Sequence, residues 1–115
     1  MTDRNVSYGL DAHRVAVEAS GMVLRMSGGR FASHFRALVD QLVRAAISVP
    51  LNLAEGNGRL GKDRRYHFSV AYASAKEAST ALMLLQTASA VDHDQANKAL
   101  SLLDRVQAMT WRLMQ

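Results

Sequence analysis

The sequence predicts an all-α protein, an antiparallel up-and-down four-helix bundle. Three observations carry this. Apolar residues recur at spacings of three and four along nearly the whole chain, no run alternates in the two-residue period of a strand, and the helical stretches are separated by short polar or glycine-containing connections. With 115 residues there is room for one compact domain, because two separate cores would each approach the size at which burial fails. An apolar content of 49% with a single proline places the chain among folded globular proteins and excludes a disordered linker.

The first segment, residues 11–27, opens at Asp11 as its N-cap and carries Ala12, Val15, Ala19, Met22 and Met26 on one stripe, with residues 1–10 as a separate N-terminal segment. Ser27-Gly28-Gly29 closes it, and Gly21 inside it suggests a close helix approach. The second segment, residues 33–56, places Phe35, Leu38, Leu42, Ala45, Ala46, Val49 and Leu53 on one face and stops at Gly56-Asn57-Gly58. The third, residues 62–90, has Phe68, Ala71, Ala75, Ala78, Leu82 and Leu85 in register and would run roughly 40 Å. The fourth, residues 92–114, starts with Asp92 and Gln95 as a capping pair and carries Ala96, Leu100, Leu103, Val106, Thr110 and Leu113. Four such stripes are most economically buried against one another in a bundle.

The second segment departs from the pattern of an outer helix. Val43, Ile47, Leu51 and Ala54 form another apolar face, more than roughly 100° round from the first at 100° per residue. Between the two lies a polar row, Gln41, Arg44, Ser48, Asn52 and Glu55. Either this helix is the most central one of an irregular bundle, or its second face is a subunit interface; three companions cannot surround it, which favours the interface. The polar row is then partly buried and must find hydrogen bonds, with Arg44 or Arg59 neutralising Glu55 or Glu77. Pro50 sits in the same helix, deletes a backbone hydrogen bond to the carbonyl of Ala46 and should bend it near residues 46–50.

The formal charge is +4, and it is local: Arg59, Lys62, Arg64 and Arg65, opposed only by Asp63, form one basic loop, whereas the chain from Tyr66 onward is balanced. Such a loop can neutralise phosphates without reading sequence, and Tyr66 and His67 beside it could stack on bases. The alternative is a solvated turn. Absence of cysteine excludes disulfide scaffolds, thiolate metal sites and a cysteine nucleophile, and fits a cytoplasmic location. The N-terminus lacks a signal-like apolar core, and no stretch suggests a membrane span. The histidines at 13, 34, 67 and 93 lie far apart, so neither a metal nor another cofactor is expected. Glu55 and Glu77 could be imagined as an acid–base pair, but both neighbour arginines in polar rows, and a structural ion pair is the better reading. No catalytic signature emerges, and Trp111 and the methionines read as packing.

The stretch Gln41-Leu42-Val43-Arg44-Ala45-Ala46-Ile47-Ser48-Val49-Pro50-Leu51-Asn52-Leu53-Ala54-Glu55-Gly56-Asn57-Gly58-Arg59 resembles the Q-L-x-R-A-x-x-S-I-x-x-N-I-A-E-G-x-G-R pattern of the small four-helix-bundle proteins first recognised in intervening sequences of bacterial 23S ribosomal RNA genes. Phe68 to Glu77 resembles a second segment of that family, whose pattern ends A-x-G-S-x-x-E, with Ala71, Ser74 and Glu77 matching it and Ala73 at the usual glycine. Val49 and Leu53 stand where the first pattern has isoleucines. The resemblance spans about residues 10–113 and extends to the accessory variability determinant proteins of diversity-generating retroelements. It implies a ring-like homo-oligomer, a homopentamer; with no catalytic signature in the residues, no enzymatic activity is expected. It also implies RNA or DNA as a partner through the basic loop or, alternatively, a protein partner such as a reverse transcriptase.

Overall fold

The computed structural model describes residues 4–115 and contains four α-helices: α1 (Arg4–Ser27), α2 (Arg36–Asn57), α3 (Gly61–Thr87) and α4 (His93–Leu113), with a 3-10 turn at Ser33–Phe35 leading into α2. Among the described residues there is no strand. Each helix packs against its two neighbours in chain order, and α4 closes back on α1. Side-chain bonds fix the antiparallel sense. Asn57 bonds the Gly9 carbonyl while Ser20 bonds the Ala46 carbonyl. Similarly, Ser74 bonds Ser48 while His67 meets Asn52.

The four sequence stripes are the core. Ala12, Val15, Ala16, Val49, Leu53, Phe68, Ala71, Ala75 and Val106 pack near one end. Ala19, Val23, Leu42, Ala46, Ala78, Leu82, Leu85, Ala99 and Leu103 fill the other. So many alanines bring the helix axes close, which gives a slender rod of 50 × 23 × 20 Å.

Three boundaries differ from expectation by three residues or more, one of them the start of α2, where Ser33–Phe35 is a 3-10 turn and the α-helix begins at Arg36. Helix α1 begins at Arg4 rather than Asp11, so residues 4–10 extend the first helix; residues 1–3 lie outside the described ones. The cap signal at Asp11 is overridden because Gly9 is buried against α2, its carbonyl accepting from Asn57 Nδ2 at 3.0 Å. Helix α3 ends at Thr87, not Ala90. Ser89 takes a left-handed φ of 57°, and the Ala90 N–H turns back to the Leu85 carbonyl at 2.9 Å, a stop that no glycine or proline announces. The start of α4 is as expected, with the Asp92 carboxylate accepting from the Gln95 N–H.

The close approach suggested at Gly21 is absent, since a Cβ there would meet nothing within 4 Å. It occurs instead at Gly56, where a Cβ would stand 2.5 Å from the Phe68 ring and 3.3 Å from the Arg64 carbonyl. Helix α2 continues through Pro50. The Ala46 carbonyl that Pro50 leaves without its helical partner accepts the buried Ser20 hydroxyl at 2.6 Å.

Candidate nucleic-acid interface

The basic segment is not a loop for most of its length. Only Gly58 to Leu60 connects the helices, and Lys62, Arg64 and Arg65 stand on the first turns of α3. Three of the four cations have partners within the chain. Arg59 pairs with Glu55 at 3.3 Å and with Asp63 at 3.8 Å, in exposed contacts that contribute little stability but cancel local charge. Arg64 is half-buried: it donates to the Gly56 carbonyl at 3.1 Å and lies 4.7 Å above the Phe68 ring, tying the end of α2 to α3. Arg65 donates twice to the Met114 carbonyl, at 2.7 and 3.2 Å, and so caps α4. Lys62 is exposed, with no ion pair or hydrogen bond among the described residues. An open cleft of about 440 Å³ lies between Lys62, Arg64, Arg65, Phe68 and the Leu113–Gln115 end of the chain. Tyr66 is exposed, while His67 is half-buried with its Nδ1 3.0 Å from Asn52 Oδ1.

The polar row of α2 divides. Ser48 and Asn52 are half-buried in a hydrogen-bonded chain along the α2/α3 seam. Ser74 Oγ donates to Ser48 Oγ at 2.8 Å, and Asn52 Nδ2 donates to the Ser48 carbonyl at 2.9 Å and hydroxyl at 3.0 Å. His67 Nδ1 meets the Asn52 side-chain oxygen Oδ1, an acceptor, so this bond requires a proton on Nδ1. Gln41, Arg44, Glu55 and Glu77 are exposed. Of the anticipated pairings, Arg59–Glu55 forms, whereas neither Arg44 nor Glu77 has an ion-pair partner among the described residues.

The second apolar face is open to solvent within one chain. Ile47 is 39% and Leu51 59% exposed, Ala54 is exposed and Val43 half-buried. Since Ser48 and Asn52 look toward α3, this face, roughly 100° or more away, lies on the α1 side of α2. It does not end with α2. Leu10, Val17 and Leu24 of α1, at spacings of seven, are 58%, 51% and 44% exposed. They lie on the same side of α1 as Ser20, which bonds α2. The sequence reading missed these three because they fall outside the core stripe, yet their heptad spacing was visible. By length and composition, Ser33–Asn57 is apolar enough to cross a membrane, but only 33% of its most apolar window is buried inside the chain. Its apolarity is that of two faces, one of them unpartnered.

Among the described residues no group of three or more histidine, aspartate or glutamate side chains could hold a metal ion. A search of curated proteins returns no match. The family model described as 23S rRNA-intervening sequence protein matches residues 10–112, and the chain belongs to that family.

Proposed function

We propose that this member of the 23S rRNA-intervening sequence protein family is a non-enzymatic, cytoplasmic homo-oligomer that binds nucleic acid through the basic segment 59–65, repeated around a pentameric ring. The observation that carries the reading is the apolar surface running across α1 and α2, Leu10, Val17, Leu24, Ile47 and Leu51, all more than a third exposed in one chain. Exposed apolar residues grouped on one side of two adjacent helices are what an interface between copies would use. Repetition around a ring would multiply a modest local charge into avidity for a polyanion.

A second reading, a scaffold for a polypeptide such as a reverse transcriptase, is favoured by the internal bonds of Arg64 and Arg65, which give those cations structural work. A salt titration separates the two. With phosphates as ligand, the logarithm of the RNA or DNA affinity falls linearly with the logarithm of salt concentration. Absence of any retention at low ionic strength removes the first reading and leaves the scaffold. Assembly is tested by light scattering of Ile47→Arg. Because Ile47 is already partly exposed, the bundle should persist while the mass falls toward that of one chain. A wild-type monomer at micromolar concentration would overturn the oligomer.

A further inference from the structure

On α3, Lys62, Arg65, Ser69, Tyr72 and Lys76 recur at spacings of three and four and form one stripe about 20 Å long. The stripe borders α4: Arg65 reaches the Met114 carbonyl, and the Tyr72 ring lies 5.5 Å from that of Trp111 at a tilt of 45°. Lys76 Nζ sits 5.1 Å above the Tyr72 ring. Beside this pair is an open cleft of about 360 Å³ lined by Tyr72, Gln107, Ala108, Trp111 and Arg112, and Trp111 is 52% exposed. The ion pairs among the described residues involve Arg14 and Arg59 and none of Lys62, Arg65, Lys76 or Arg112.

We propose that this outer α3/α4 face is a track for single-stranded nucleic acid, with a base stacked on Trp111 beside Tyr72 and phosphates on Lys62, Arg65, Lys76 and Arg112. The inference rests on the nucleic-acid reading above and extends its short basic segment, through Lys62 and Arg65, into a longer surface. An aromatic ring with an open face takes any base, provided the base is not already stacked in a duplex, which selects single strands. Lys62, Arg65, Lys76 and Arg112, without carboxylate partners, supply the sequence-independent attraction to the backbone. A tilted pair with one half-exposed indole beside an open cleft leaves room for a base to stack.

Trp111 is the only tryptophan, so its fluorescence reports on this face alone. Titration with 20-nucleotide oligo-dT and oligo-U at low salt should quench it, saturating at the concentration where the anisotropy of a labelled oligonucleotide saturates. Trp111→Ala should weaken binding about tenfold or more, and Trp111→Phe much less. Lys76→Gln and Arg112→Gln should each flatten the salt slope by about one. All three positions, Trp111, Lys76 and Arg112, are exposed, and circular dichroism checks that the variants stay helical. Binding without quenching, with Trp111→Ala unchanged, overturns the track but leaves nucleic-acid binding in place. No binding of either oligonucleotide overturns both. Emission that shifts with protein concentration alone places the face between copies and also overturns the track.

Discussion

On its α1 flank, α2 presents the Ala46 carbonyl and Pro50 to a single buried hydroxyl, and beyond them an apolar margin, Ile47 and Leu51, that the chain covers only in part. On its α3 flank it presents Gly56 to the Phe68 ring and Ser48 and Asn52 to a run of side-chain hydrogen bonds. The α3 seam is closed by steric fit and directional bonds, so its polar groups are satisfied and need no further partner. Among the described residues the α1 seam carries only two side-chain-to-backbone bonds, Ser20 to the Ala46 carbonyl and Asn57 to the Gly9 carbonyl, and leaves apolar area outside. One helix thus separates a seam closed within the bundle from an apolar margin left open to solvent in the single chain.

The steric part of the α3 seam should break most severely. Gly56→Ala inserts a methyl group against a fully buried ring and a backbone carbonyl, neither of which can swing away. Overpacking of this kind costs about 1–3 kcal/mol, and this site should fall at the upper end. Urea unfolding measures it, and an unchanged midpoint would mean that α2 and α3 do not approach here as described. The α1 seam should respond next. Ser20→Ala leaves the Ala46 carbonyl buried without a partner, for about 1–3 kcal/mol. In a Pro50→Ala background the restored N–H can serve that carbonyl, so the cost of Ser20→Ala should shrink by about 1 kcal/mol. Equal costs in both backgrounds would show that Ser20 acts by packing instead.

Much of this contrast was legible in the sequence, because periodicity reports which side of a helix is apolar. The core stripes, the second apolar face of α2 and the half-buried character of Ser48 and Asn52 all follow from residue spacing. What periodicity does not report is which distant group meets a given atom. Gly56 reads as part of a helix stop because glycine serves both as a terminator and as a point of contact, and only the position of Phe68 separates the two roles. Ser20 is one serine among several until Pro50 and the α1 register place it under the freed carbonyl. Arg65 reads as a free loop cation because the carbonyl it caps lies 49 residues away. The basic segment was therefore correctly located but not correctly apportioned between surface charge and capping.

The smallest expected effect tests whether the α3 seam acts as a connected chain or as separate contacts. Asn52 sits in the middle, donating to Ser48 and accepting from His67. Asn52→Ala removes both links, but each group it frees is only half-buried, and water can replace part of what is lost. The net cost should be about 1 kcal/mol. Ser74→Ala removes the terminal donor to Ser48 and should cost less, since the Ser48 hydroxyl still accepts from Asn52. If the bonds reinforce one another, the double variant should cost less than the two single costs added, because Ser74 loses value once Asn52 no longer orients Ser48. Thermal unfolding of the four proteins closes the cycle. Strict additivity would reduce this flank to independent contacts, and the difference between the two sides of α2 would then rest on Gly56 and Phe68 alone.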